Sequence, residues 1–300
     1  MPRVARGIGL QYQSTVAPLH DGVEGDEEPL VYDVAEVLCD SFTGALDGPY
    51  VIEPSTRPLI EQLRNSGRTL LAHGNYGEEF GFAPLEETNA VRRHLPFAHH
   101  IQSPWYSDHL FYGYGASTYM WSSPLPFSKA EVERVAGRAA ELQDRLKLPL
   151  LHENPFYYAR FPGSHLEEAE FIAEVVTRAG TYLQLDLHNI YANSVNFKGY
   201  DCQKYLQTLP LERVMAVHLA GGQWIDGWYH DLHNNPVPEP VWELLAQLLR
   251  EARNLQVVIL EVQGPAHNSR SRAVDASWRR MIRNDLQRAR SLWTSIRGAI

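Results

Sequence analysis

Eight short apolar runs recur along the chain. They are "GIGLQY" from residue 7, "VAEVLCD" from 34, "TLLAHGN" from 69, "SPWYSDHL" from 103, "PLLHENP" from 149, "YLQLDLHN" from 182, "VMAVHLAG" from 214 and "VVILEVQG" from 257. Each is six to eight residues long, the length of a strand covered on both faces. Most of the intervals between them can hold a helix. Ser128-Lys-Ala-Glu131 reads as a capping box before Val132, Val135, Ala139, Leu142 and Leu146 at helical spacing. Ser164-His-Leu-Glu167 repeats the pattern before Phe171, Ile172, Val175 and Val176, with Gly180 as the C-terminal glycine. Pro58 suits the first turn of a helix over about 57–66. Strands alternating with helices predict parallel βα units, and eight of them predict a single-domain (β/α)8 TIM barrel over about 7–265. An open doubly wound sheet is the alternative, but no G-x-G-x-x-G follows a strand. Residues 20–29, "HDGVEGDEEP", read as an exposed acidic loop.

The strands turn polar where they end. Strand 3 ends in His73, strand 4 in Asp108-His109, strand 5 in Glu153-Asn154, and strand 6 in Asp186, His188 and Asn189. Strand 7 carries His218, the loop after it Asp231 and His233, and strand 8 Glu261. In a barrel these positions form the C-terminal rim, where active sites are built. Strand parity puts Ala216, His218 and Ala220 on one face, Asp186 and His188 on another, and His152 opposite Glu153, toward the helices. A lone strand histidine is ordinarily a satisfied core residue, and a lone strand-end carboxylate a cap. Four imidazoles (His73, His109, His218, His233) and four carboxylates (Glu153, Asp186, Asp231, Glu261) on one rim are a different matter. Unpaired burial of those carboxylates is costly. Metal cations would neutralise them and take the imidazoles as ligands. So many ligands exceed one coordination sphere, which points to two or three metals sharing bridging carboxylates.

Composition narrows the classes. At 44% hydrophobic and 21% charged residues, the chain is globular in character. No apolar run is long enough to span a bilayer, and "MPRVARGIGLQYQ" lacks a signal-type apolar core. With only Cys39 and Cys202, no disulfide framework is expected, and a cytoplasmic setting is the simplest. A net charge of −9 argues against a nucleic-acid binder. Eight arginines fall in residues 265–300. They are expected to wet one face of a last amphipathic helix over about 275–297. Its buried stripe would be Trp278, Met281, Ile282, Leu286, Ala289, Trp293 and Ile296. A docking surface for an acidic partner is the alternative.

"LLHENPFYYARFPGSHLEEAEFIAEV", "LDLHNIYANSVN", "LPLERVMAVHLAGG", "DLHNNPVPEPVW" and "VILEV" resemble the multinuclear non-haem iron-dependent oxidative enzymes. That family includes the iron enzyme of methanobactin biosynthesis. The resemblance covers about 7–265 and is densest over 149–261. It implies a TIM barrel with two or three irons of mixed Fe(II)/Fe(III) state. It implies O2-dependent remodelling of a residue, often cysteine, in a ribosomally made precursor peptide, often presented by a small partner protein. Carried over by position, the ligands would be His73, His109, Glu153, Asp186, Asn189, His218, Asp231, His233 and Glu261. They would fall into three neighbourhoods: His73 and His109 with Glu153; Asp186, His218 and Glu261 with Glu153 bridging; and Asn189, Asp231 and His233. His188, Asp108 and Asn154 would support them. No other catalytic residue is assigned. The chain departs from the family in having His188 before Asn189 where Asn-Asn is common, and Gly222 where His often follows "LAG". It also has Val262-Gln263 for Trp-Asp after the strand 8 Glu, and "EVLCDSF" in place of a Glu-containing strand 2 motif.

Trp105, Tyr106, Phe111, Tyr112, Tyr114, Tyr119 and Trp121 are candidates to line a peptide groove, and Arg160 and Lys198 to contact peptide carboxylates. Two rivals use the same residues differently. One is a zinc or manganese hydrolase or isomerase of the endonuclease IV or xylose isomerase type. The other is an inactive peptide-binding scaffold.

Overall fold

The computed structural model describes residues 6–13, 25–44, 50, 52–75, 77–112, 123–263 and 276–299. Each of the eight apolar runs contains a strand: β1 (Gly7–Tyr12), β2 (Val34–Leu38), β3 (Thr69–His73), β4 (Tyr106–His109), β5 (Leu150–Glu153), β6 (Tyr182–Asp186), β7 (Val214–Leu219) and β10 (Val257–Leu260). They close a barrel in the order β1-β10-β7-β6-β5-β4-β3-β2, every pair parallel. An antiparallel hairpin, β8 (Gln223–Ile225) and β9 (Trp228–His230), interrupts the connection after β7. The principal helices are α1 (Arg57–Asn65), α2 (Leu95–His100), α3 (Lys129–Leu146), α4 (Glu168–Ala179), α5 (Leu187–Asn196), α6 (Cys202–Thr208), α7 (Glu239–Glu251) and α8 (Ala276–Arg297).

Alternate strand residues point into the barrel, and their chemistry changes with height. Val34, Leu71, Trp105, Leu151, Ala216, Val257 and Ile259 form one apolar cluster that plugs the floor. Two residues further along these strands stand Glu36, His73, Ser107, Glu153 and His218, all buried. The outward positions, such as Leu150, Leu183, Leu185, Val217 and Leu219, join the larger core under the helices. His152 is outward as its parity predicts. Its Nε2 lies 2.9 Å from the Thr181 hydroxyl and its ring 5.3 Å from Phe80, and burial drives its pKa down to about 3.

Several local expectations need correcting. Strand 6 stops at Asp186, and α5 starts at once. The Asp186 carboxylate accepts a hydrogen bond from the Asn189 N–H at 2.7 Å and so caps the helix. His188 therefore lies in the first helical turn and shares no strand face with Asp186. Ser128 caps α3 as expected, but α4 begins at Glu168 with Glu167 and Glu170 as its capping box. Ser164 instead accepts from the Phe127 N–H at 3.0 Å. Trp105 and Tyr106 are fully buried core residues and line no groove, while Tyr114, Tyr119 and Trp121 lie outside the described residues.

The last helix buries Trp278, Ile282, Leu286, Ala289 and Trp293 as expected, with Met281 and Ile296 partly covered. It also buries Arg279. Several of its arginines bind the chain itself. Arg283 bonds Asp26, Arg288 reaches Glu239 at 2.6 Å and Arg290 reaches Asp33 at 2.8 Å. Asp26, expected in an exposed loop, is buried against Arg279 and Arg283.

Candidate metal centre

Six of the rim residues, His109, Glu153, Asn189, Asp231, His233 and Glu261, line one open-mouthed pocket, while His73, Asp186 and His218 are fully buried and do not line it. Donor atoms here form four groups among the described residues, each within a 4.8 Å span: His73, His109 and Glu153; Glu153, Asp186, His218 and Glu261; His188, Asp231 and His233; and Glu36, His73 and Glu261. The first two bring together residues that the resemblance groups. The third holds His188 alongside the expected Asp231 and His233.

Glu153 links the first two groups. One carboxylate oxygen lies 3.3 Å from His109 Nε2, the other 3.3 Å from His73 Nε2 and 3.4 Å from His218 Nδ1. Glu261 links the second and third, with Oε2 3.4 Å from His218 Nδ1 and 3.7 Å from His233 Nε2. Asp231 Oδ1 lies 2.8 Å from His188 Nδ1 and 2.7 Å from His233 Nε2. His233 holds a left-handed φ of 51°, and its carbonyl accepts from Gln263 N–H at 3.2 Å. Asn189 donates its amide N–H to the Asn154 carbonyl at 3.1 Å, which leaves its buried Oδ1 without a partner.

The neighbours hold this geometry. Asn154 brackets the Asp186 backbone, donating to its carbonyl at 2.9 Å and accepting from its N–H at 2.8 Å. Asp108 accepts from the Gly77 and His109 N–H groups and from the Tyr106 hydroxyl. Phe111 stacks on His109 at 4.8 Å with a 7° interplanar angle. His188 is fully buried, with Nε2 3.2 Å from the Tyr229 hydroxyl. A Cβ on Gly222 would collide with the His230 carbonyl oxygen and lie 3.1 Å from His188 Cε1. The two departures at 188 and 222 thus adjoin in space: the bare glycine leaves the room beside the His188 ring.

Without a metal, the charges settle among themselves. Burial opposes charge on His218, but Glu261, Glu36 and Glu153 outweigh it and raise its pKa well above normal. Burial likewise works against His109, yet Glu153 and Asp108 raise it well above normal. His233 is raised to about 10, Asp231 and Glu261 overcoming its burial. Burial favours the neutral form of Glu153, but His109 and His218 hold it well below the usual carboxylate range. Asp186 is the exception. Burial, then Glu261 and Glu153, push its pKa well above normal. Such a mixture of imidazolium and carboxylate is what divalent cations displace.

Sequence reasoning missed three inward polar side chains. Glu36 is fully buried, with Oε1 2.8 Å from His218 Nε2. Gln184 reaches the same nitrogen at 2.8 Å, and Gln11 hydrogen-bonds Glu261. The available signal was a polar residue on the inward parity of an otherwise apolar strand, as in "VAEVL".

Fold and pocket together define a TIM-barrel protein with a candidate multinuclear metal centre at the C-terminal rim. The chain belongs to the RiPP precursor modification enzyme MbnB/TglH/ChrH family, whose model matches residues 48–269. It is 38% identical over 243 residues to a UPF0276 protein of Pseudomonas aeruginosa (strain UCBPP-PA14), covering 80% of this chain and 79% of that one. A UPF0276 protein of Caulobacter vibrioides (strain NA1000 / CB15N) is 32% identical over 244 residues, with 79% and 80% covered. Among solved structures, D-allulose 3-epimerase from Methylomonas sp. superposes with a TM-score of 0.59 at 11% identity, covering 98% of each chain. Endonuclease IV from Thermus thermophilus superposes at 0.56 and 17% identity, covering 96% and 99%. At such identities these two share the fold alone. Among the described residues, no helix is long and apolar enough to cross a membrane.

Proposed function

We propose that the protein is an O2-dependent oxidase or oxygenase with two or three irons that modifies a residue, often cysteine, of a ribosomally synthesised precursor peptide. The observation that carries this reading is the sharing of carboxylates: Glu153 belongs to two donor groups at once, and Glu261 Oε2 approaches both His218 and His233. Membership of a family of precursor-modifying enzymes supplies the substrate class.

The donor set fits metal ions. His73 Nε2, His218 Nδ1, Glu153 Oε2, Asp186 Oδ2 and Asn189 Oδ1 are buried atoms without a hydrogen-bond partner. Leaving so many polar atoms unsatisfied is costly unless something binds them. His73, His109 and Glu153 would hold one ion. Asp186, His218 and Glu261, with Glu153, would hold a second. Asn189, Asp231 and His233, with His188 at their side, would hold a third. When bound, iron at these positions supplies activation of O2 and a docking point for a thiolate or other donor of the substrate.

The remaining work belongs to the chain. Asn154 and Asp108 fix the backbone that carries Asp186 and His109. Phe111, stacked on His109, gives the pocket an apolar wall beside the reacting centre. Phe156 and Tyr158 line the same mouth, where an extended peptide would enter. A small partner protein would present the peptide at this open mouth.

The donor chemistry also suits zinc or manganese, so the test must read metal and oxygen together. Anaerobically isolated protein should carry at least two irons per chain. It should consume O2 only when the precursor peptide is added. Full activity with zinc or manganese would refute the oxidase and favour the hydrolase or isomerase reading. Less than one transition metal per chain would favour a scaffold.

A further inference from the structure

We infer that Glu36 is the positioning residue of the centre: from just above the barrel floor it fixes which nitrogen of His218 faces the shared carboxylates. The inference rests on the reading that these carboxylates hold metal ions.

Glu36 stands on β2, which β1 and β10 separate from β7 around the barrel, and it is completely buried. Ionised carboxylates at such depth are costly and need a fixed partner. Its partner is His218 Nε2, 2.8 Å from Oε1. The other ring nitrogen, Nδ1, is the one that faces the rim, 3.4 Å from both Glu153 and Glu261. The two contacts lie on opposite edges of one imidazole. A carboxylate acceptor at Nε2 keeps the proton there and leaves the Nδ1 lone pair free for a cation. Carboxylate, histidine and metal in line is the arrangement by which proteins orient a ligating imidazole and raise its basicity. Gln184 adjoins the same edge, its amide nitrogen 2.8 Å from Nε2 and 3.3 Å from His73 Nδ1. His73 Nδ1 is also 2.9 Å from the Ser107 hydroxyl, which leaves its Nε2 toward Glu153. A polar layer of Glu36, Gln184 and Ser107 thus lies between the apolar floor and the donors. It presets the ring orientation of both inner histidines.

The test is an anaerobic titration with Fe(II) alone, competed by a chelator, on wild-type protein, Glu36→Gln, Glu36→Asp and His218→Ala. Glutamine keeps the shape and loses the charge. Glu36→Gln should weaken one iron equivalent by about 10–100-fold, the equivalent that His218→Ala removes, and leave the other equivalents and the circular dichroism unchanged. Glu36→Asp, which keeps the charge, should recover part of that affinity. An unchanged competition curve for Glu36→Gln overturns the inference. Complete loss of one equivalent at saturating Fe(II) also overturns it, because Glu36 would then be a ligand itself. Equal weakening of every equivalent, or a lost fold, assigns Glu36 a merely structural role. If wild-type protein binds no iron, the proposed function fails before Glu36 is tested, so the two failures are distinguishable.

Discussion

Glu168 offers a stability experiment whose size follows from the structure. It opens α4 and is buried, yet its carboxylate accepts hydrogen bonds from three tyrosines: Tyr205 at 2.6 Å, Tyr157 at 2.9 Å and Tyr200 at 3.2 Å. The knot ties down the segment after β5, since Tyr157 follows Glu153 and Asn154 by only a few residues. Burial raises the Glu168 pKa from 4.5 to about 7, and the tyrosine hydroxyls offset only part of that rise. Because the folded pKa lies above the unfolded one, the folded state holds the extra proton between them. Its stabilising contribution is full below about pH 4.5 and is lost as pH rises through about 7. The difference amounts to about 3 kcal/mol. Glu168→Gln cannot titrate, so its stability should lack this slope. Urea unfolding of metal-free protein at several pH values from about 5 to 8 reads it directly. The wild type should lose about 3 kcal/mol relative to Glu168→Gln across that range. Curves that run parallel would refute the reasoning, because every other titrating group is common to both proteins.

Glu153→Gln should remove two iron equivalents, since Glu153 belongs to two donor groups, while His109→Ala should remove one; metal analysis of each variant decides. Gly222→Ala should destabilise the protein by about 1–3 kcal/mol, because the added methyl meets the His230 carbonyl and approaches His188. Thermal unfolding reads that cost, and an unchanged midpoint would show that the hairpin yields freely.

Much of the barrel was legible because fully covered strands read as short apolar runs whose polar ends coincide with the rim. His73, His109, Glu153, Asp186, His218, Asp231, His233 and Glu261 were visible because imidazoles and carboxylates rarely recur at one end of successive strands. Glu36 was obscured for a physical reason. It sits two residues into an apolar strand, where a glutamate resembles a helix-facing or edge residue, and its partner is 182 positions away. The end of β6 was hidden too. Leu187 continues the apolar alternation, but the Asp186 cap bends the backbone into a helix at that point. Ser164 shows the limit of local motifs. Its spacing to Glu167 is right for a capping box, yet the Phe127 N–H claims its hydroxyl. Trp105 lies near other aromatics in the sequence and so resembles a groove residue, although its inward parity puts it in the floor.

The most direct test of the central claim is metal analysis combined with Mössbauer spectroscopy on anaerobically isolated, iron-loaded protein. Irons that share Glu153 and Glu261 should number at least two per chain and show magnetic coupling. A single isolated iron, or a chain that binds zinc or manganese and excludes iron, would contradict the account.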